Sequence, residues 1–589
     1  MKKVLNLIEE KVVAAFESAG IDKKYARVAL SNRPDLCEYQ SNGAMPAAKE
    51  YKKAPIMIAN SIVEYLKEDE MFEEVTAVNP GFINIKLNPA FVSDYINGML
   101  ADEERCGCDK VENPQSIVVD YGGANVAKPL HVGHLRPAII GEAVKRITRF
   151  MGNNVVGDVH LGDWGLQLGL IICELQDRQP DLVYFDDNYT GEYPEEAPFT
   201  ISDLEEIYPF ASARSKREPE FKKRALQATK ELQDGKPGYR AIFRHISNVS
   251  IADLKKNYGN LNVIFDLWYG ESDADPYIAP MVERMIEEGY AYEDEGMYIV
   301  DVKKDDDKFE VPPCIIKKSD GASLYTTTDL ATLVQREKDF HPDHVIYVVD
   351  KRQGMHFEQV FRTAKKTGIV REETKLTHIG FGTMNGADGK PFKTRDGGLL
   401  RLENLLKDIE EKTYERIVEG REVNEEEARK NAKIIALAAL KYGDLSNQAT
   451  KDYIFDIDRF ISFEGDTGPY VLYTMVRMKS ILRKYAELKG ELPEFKVLPA
   501  VKPAEKALML DLMKFNAMME KASEETAPHQ VCAYIHDLSN SFNKFYHENN
   551  IMKEEDEARQ VSFISLLSLT KSILEICIDV LGFEAPEQM

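Results

Sequence analysis

Between residues 116 and 160 the chain reads as strand, loop, helix and strand, and that order leaves few folds open. SIVVDY (116–121) is a short β-rich run. HLRPAIIGEAVKRITRFMG (134–152) has helical periodicity and ends at a glycine, and NVVGDVH (154–160) is β-rich again. Two strands joined through a helix lie parallel, so the stretch predicts a βαβ unit. A further unit is predicted far downstream from HVIYVVD (344–350), MHFEQVFRTAKKTG (355–368) and KLTHIGFG (375–382). Helical patterns fill the long interval between them. The simplest reading is a Rossmann-like, doubly wound parallel sheet interrupted by an insertion.

The flanking regions read differently. Residues 1–110 mix helical patterns with short strand-like runs such as GFINIKL (81–87), which predicts an α+β domain, and ADEERCGCDKVENPQ (101–115) reads as an exposed linker. From about residue 400 there is no strong strand signal. NAKIIALAALKYG (431–443), VLYTMVRMKSILRKY (471–485), CAYIHDLSNSFNKFYHE (532–548) and SFISLLSLTKSILEICIDVLG (562–582) all have amphipathic helical spacing, which predicts an all-α bundle. The expected division is 1–112, an α/β domain over 113–400 with its insertion at about 174–320, a helical linker over 401–462, and a helical domain over 463–589. A chain of 589 residues is too long for a single core, so several domains are expected.

Composition narrows the setting. No stretch reads as the roughly 20 apolar residues of a membrane span. Glu9, Glu10 and Lys11 interrupt the apolar start, so it reads as an amphipathic helix rather than a signal peptide, and a cytoplasmic protein is expected. Seven scattered cysteines, with one C-x-C at Cys106 and Cys108 and no other pair at zinc spacing, predict free thiols and no metal site. The net charge of −24 disfavours a phosphate-rich partner on average, yet an acidic total does not exclude a local basic face.

The sharpest local signal is H-V-G-H, His131 to His134, which follows a predicted strand and opens a predicted helix. In an open parallel sheet that is where the phosphates of a nucleotide sit. Gly133 lets backbone approach a ligand, the helix N-terminus offers free N–H groups, and the two imidazoles can donate to a phosphate as charge develops.

VVDYGGANVAKPLHVGHLRPAIIGEA (118–143) resembles the signature region of class I aminoacyl-tRNA synthetases. With H-L-G-D-W-G (160–165) it resembles arginyl-tRNA synthetases in particular. Y-T-T-T-D (325–329), Q-G-M-H (353–356), K-P-F-K-T-R-D-G-G (390–398), D-L-S-N-Q (444–448) and F-x-G-x-T-G-P-Y (463–470) follow in that family's order, and E-Y-Q-S-N (38–42) matches its N-terminal domain. The resemblance covers essentially the whole chain. It implies activation of arginine with ATP and Mg²⁺, transfer to the 3′ end of tRNA(Arg), and a monomer.

The resemblance also implies roles. Tyr325 and Asp329 would hold the guanidinium, whose planar fork matches a carboxylate. Gln353 would reach the substrate, and Asp120 and Asn125 would lie near its α-amino and α-carboxylate groups. His131, Gly133, His134 and Lys128 would bind ATP. The class's other ATP motif usually carries a second lysine that this chain replaces with Thr394, so Lys128 is the expected substitute, with Lys393, Arg395 and Lys390 nearby and unranked. Tyr473, Arg477 and Lys484 share a helical face suited to stacking on an unpaired base, and Asn42 would touch the tRNA elbow. Two other readings are a ligase of the same fold for another acid and a non-catalytic tRNA binder. The C-terminal bundle argues against the ligase, and intact His131, Gly133 and His134 argue against the binder.

Overall fold

The computed structural model describes residues 1–318, 324–386, 388–390, 400–419 and 424–589. The N-terminal region forms a four-stranded antiparallel sheet in the spatial order Val28–Leu30, Tyr39–Ser41, Phe82–Leu87, Phe72–Val78. In Phe82–Leu87 burial alternates residue by residue. Ile83, Ile85 and Leu87 are buried on the face that packs under the helix Pro55–Leu66, as the two-residue period of a strand requires. The 101–115 stretch is not simply an exposed linker. Cys106 and Cys108 are buried, and Arg105 ties the turn down by donating to the carbonyls of Cys108 and Phe150. All seven cysteines are free and buried.

Four parallel strands make the central sheet: β1 (Ser116–Asp120), β2 (Asn154–Asp158), β3 (His344–Asp350) and β4 (Lys375–Phe381), in the order β4-β3-β1-β2. Ile117, Val118, Val119 and the whole HVIYV run are buried, the near-continuous apolar character of strands covered on both faces. Helix α1 (Leu135–Phe150) carries the chain from β1 outward to β2, so the winding reverses between β1 and β3. The insertion between β2 and β3 supplies α2 (Ile201–Arg217), α3 (Pro237–Asn260), α4 (Glu271–Glu287), a small antiparallel sheet (Tyr292–Asp294, Met297–Val300, Cys314–Lys317) and α5 (Tyr325–Phe340), which feeds β3. Helix α6 (Gly354–Lys366) then links β3 to β4. The predicted doubly wound sheet with an insertion is therefore observed.

After residue 400 the chain is helical, with α7 (Glu425–Leu445), α8 (Gly468–Lys489), α9 (Pro528–Glu548) and α10 (Glu557–Leu581) as its main members. One strand here is not expected from the sequence: Tyr453–Ile454 pairs in parallel with Met384–Asn385, a pairing too short to leave a periodic signal. Helix α10 also corrects the expectation of no membrane-length apolar run. Its mean hydropathy reaches 1.7 over an 18-residue window, and 72% of that window is buried inside the protein. Its C-terminal end docks on the sheet domain. Arg146 of α1 donates to the Asp579 carbonyl at 3.1 Å. Lys441 of α7, fully buried, donates to the carbonyls of Gly582 at 2.8 Å and Asn262 at 3.3 Å, and burial pushes its ammonium down to about 7. The bundle meets the N-terminal domain as well, through Lys506 with Glu38 at 2.7 Å and Asn97 with both polar backbone groups of Val497.

Candidate active site

The H-V-G-H segment follows β1 at the point where the sheet reverses its winding. Val132–His134 forms a single 3-10 turn that runs directly into α1. Its two histidines close the turn on each other. His131 Nδ1 accepts from the Gly133 amide at 3.0 Å, and His134 Nδ1 accepts from the His131 amide at 3.1 Å, which leaves the ring centroids 4.0 Å apart. An accepting Nδ1 places the ring proton on Nε2, so both rings keep a free Nε2–H as donor. Burial pushes His134 down to about 3, helped by the adjacent ring, and burial with the nearby Lys128 charge also lowers His131. Both are therefore neutral donors near pH 7. A side chain at Gly133 would come within 2.8 Å of the His131 ring, so the turn needs glycine there. The turn is braced from a distant part of the chain. Val132 donates to the Leu400 carbonyl and Leu402 to the Leu130 carbonyl, each at 3.0 Å, and His131 and Arg401 form an antiparallel bridge.

Another group of side chains gathers at the same edge of the sheet. Helix α5 runs antiparallel to the strand it feeds, so its N-terminal turn lies at the C-terminal edge of the sheet. There Asp329 is hydrogen-bonded to His356 Nε2 of α6 at 2.5 Å. Segment 267–270 runs parallel to the chain leaving β2, with bridges Asp158–Leu267 and Leu161–Gly270, and this delivers α4 to the same edge. Glu271 is the first residue of α4. Burial pushes its carboxyl up to about 7; the His160 ring opposes that shift, while Asp163 and Asp329 add to it. Asp163 caps the helix by accepting from the Ser272 amide at 2.9 Å and its hydroxyl at 2.6 Å. Among the described residues neither Asp329 nor Glu271 pairs with a lysine or arginine. Buried carboxylates ordinarily find such a partner in their own chain.

Other expected residues fall as follows. Asp120 ends β1 beneath this group, and its carboxylate is taken by Arg336 at 2.6 Å, which also bonds Asp158 at 2.8 Å. Burial pushes the Asp120 carboxyl up while the Arg336 guanidinium pulls against it. Asn125 bridges Gly162, which has no room for a side chain because the Asn125 amide oxygen lies 2.4 Å from where a Cβ would stand. Tyr325 opens α5 and is 77% exposed. Gln353 stands exposed immediately before α6. Lys393, Thr394 and Arg395 lie outside the described residues; Lys390 is exposed. On α8 the Arg477 guanidinium lies between the Tyr473 ring, 4.9 Å away, and the Tyr546 ring of α9, 5.3 Å away, with Asn543 accepting at 2.8 Å. Lys484 and Asn42 are exposed. Sequence reasoning missed Glu271 and Arg336. Glu271 sits in no motif, and Arg336 resembles any polar helix residue until β1 and β2 close around it.

Three family models match the chain: an arginyl-tRNA synthetase N-terminal domain over residues 3–87, the class I (R) tRNA synthetase catalytic domain over 95–457, and a DALR anticodon-binding domain over 471–589. The arginine–tRNA ligase of Agathobacter rectalis is 63% identical, and that of Alkaliphilus oremlandii 54%, each over the full length of both chains. Among solved structures, arginyl-tRNA synthetase from Plasmodium falciparum superposes with a TM-score of 0.79 at 25% identity over 99% of both chains. The Thermus thermophilus arginyl-tRNA synthetase shares the fold, with a TM-score of 0.78 at 22% identity over the whole of each chain.

Proposed function

The chain belongs to the arginyl-tRNA synthetases, ATP-dependent ligases of class I, and on that premise we propose which of its residues carry each part of the reaction. The reaction has two steps. The arginine carboxylate attacks the α-phosphorus of ATP, pyrophosphate leaves, and arginyl-adenylate forms. The terminal ribose hydroxyl of tRNA(Arg) then attacks the acyl carbon, and AMP leaves.

The guanidinium end goes to Asp329 and Glu271. The observation that carries this is the pair of half-buried carboxylates near the N-terminal ends of two helices, neither matched by a lysine or arginine among the described residues. A planar cation from solution completes that charge. Tyr325, one helical turn before Asp329, and Gln353 border the guanidinium and the substrate backbone. Asn125 faces the α-amino and α-carboxylate end. Asp120 acts through Arg336, as part of the charged floor under the pocket.

The phosphate end goes to the H-V-G-H turn. ATP enters as its Mg²⁺ complex, and His131 and His134 donate Nε2–H to phosphate oxygens next to the Gly133 backbone. Lys128 follows the charge as it moves to pyrophosphate, with Lys393 and Arg395 as further ATP contacts. Catalysis on this reading is positioning plus charge stabilisation. The N-terminal domain (about 1–112, with Asn42) and the helical domain (about 463–589, with Tyr473, Arg477 and Lys484) hold the tRNA. The enzyme works as a cytoplasmic monomer.

Aminoacylation assayed with each standard amino acid, ATP and total tRNA tests the assignment, and arginine alone is expected to be charged. Isotope exchange between pyrophosphate and ATP is expected to be nearly silent with arginine alone and to appear when cognate tRNA is added. Full exchange without tRNA would remove that expectation of tRNA dependence.

A further inference from the structure

We propose that helix α2 of the insertion is a positioning element of the active site, with Tyr208 aiming the Lys128 ammonium and Glu205 fixing the strand that braces the H-V-G-H turn. The inference rests on the assignment of Lys128 above. The Lys128 ammonium lies over the Tyr208 ring, 5.0 Å from its centroid. One turn back on the same helix, Glu205 pairs with Arg401 at 3.0 Å, and Arg401 is the residue whose backbone bridges His131. Residues three apart in a helix share a face, so α2 presents both contacts to the cleft at once. Leu204 and Ile207 beside them are buried, which fixes the rotation of the helix.

The insertion also holds the backbone just before Lys128. Ala127 sits in the left-handed region, at φ 57°, and donates its amide to Ser250 Oγ of α3 at 2.9 Å. Ser250 is itself buried. Backbone and side-chain tip are thus gripped separately, by α3 and α2.

The choice of an aromatic ring has a chemical consequence. Lysine carries its charge on a flexible four-carbon stem, and fixing it costs rotamer freedom. A carboxylate would fix the ammonium and neutralise it. A ring face attracts it through the quadrupole and leaves its full charge and its N–H donors for an incoming phosphate. Among the described residues no carboxylate pairs with Lys128, whereas Arg401, whose task here is structural, does have one. The two cations beside the turn are therefore treated oppositely by one helix.

The test uses the full-length enzyme and a cycle of variants read by aminoacylation at saturating tRNA. Tyr208→Ala is expected to lower kcat roughly tenfold while KM for arginine stays put. Tyr208→Leu, which fills the space without a ring face, is expected to match it. Tyr208→Phe keeps the face and is expected to restore most of the loss. In a Lys128→Ala background, Tyr208→Ala is expected to cost nothing further, because the two act as one unit. Equal losses for Tyr208→Ala with and without Lys128, or a Phe variant as poor as the Leu variant, overturn the inference while leaving Lys128 in its role. A Lys128→Ala enzyme with full kcat overturns the Lys128 assignment itself and the inference with it.

Discussion

Asp329 and Glu271 at one end of the cleft, and His131 and His134 at the other, share a plan and differ in what burial does to them. Glu271, His131 and His134 sit in the opening turn of a helix or immediately before it, and Asp329 one turn inside its own, along the C-terminal edge of one sheet. Desolvation disfavours charge everywhere, so it pushes the Glu271 carboxyl up to about 7 and the His134 ring down to about 3. The acidic end is left needing a cation, which arginine supplies on the proposed assignment. The proposed phosphate end is left with neutral histidine donors, beside which the Lys128 ammonium lies over the Tyr208 ring. On that assignment the same low-dielectric setting serves recognition at one end and a pair of uncharged histidine donors at the other.

The largest break in that contrast comes from removing the acid. Asp329→Ala is expected to lower kcat/KM for arginine by at least ~2–4 kcal/mol, since a desolvated charged hydrogen bond loses about that much with one partner. Steady-state kinetics at wild-type efficiency would mean that the acidic end does not recognise arginine. Lys128→Ala comes next. It is expected to reduce kcat by roughly 2–3 kcal/mol with KM for arginine little changed, the mark of an interaction made in the transition state. If kcat holds, the role passes to Lys390, Lys393 or Arg395.

Glu271→Gln sharpens the comparison from the other side. It keeps shape and removes charge, so KM for arginine is expected to rise roughly tenfold with kcat near normal. The smallest effect is a pH dependence. A carboxyl raised to about 7 is half protonated there, and a guanidinium favours its ionised form. KM for arginine should therefore fall as pH rises toward 8, and lowering pH from 7 to 6 should raise it about fivefold. The Glu271→Gln profile should be flat. Because burial pushes His134 down to about 3, kcat between pH 6.5 and 8 should show no step from it, and the downward shift of His131 moves its step toward lower pH. A kcat step there that survives Glu271→Gln would break the contrast.

The parallel sheet was legible because short β-rich runs such as SIVVDY and HVIYVVD are followed by a helix-periodic stretch and another β-rich run, an order that forces neighbouring strands to run parallel. The H-V-G-H turn was legible because its geometry is local: each histidine caps the turn of the other. Glu271 was not, because it reaches the cleft through a pairing of segment 267–270 with the chain after β2, and no period in the sequence marks it. The bracing of Leu130 and Val132 by Leu400 and Leu402 joins segments about 270 residues apart, equally out of reach of any local pattern. The motif around Asp120 points it at substrate, and only the packed sheet reveals Arg336 beside it. Cys106 and Cys108 sit in a run dominated by charged residues, and only tertiary contact with the neighbouring elements turns that run inward.

The docking of α10 on α1 has a meaning in time as well as in space. Arg146 and its acceptor Asp579 are 433 positions apart, and Lys441 waits likewise for Gly582. A ribosome adding about 5–20 residues per second makes Asp579 roughly 20–90 s after Arg146. Through that interval the helix that opens at H-V-G-H is already made but lacks its last neighbours, and Lys441, once made, waits a further 141 residues for its Gly582 acceptor. The helix that opens at H-V-G-H, encoded early, gains its contacts with Asp579 only once the end of the chain has been made.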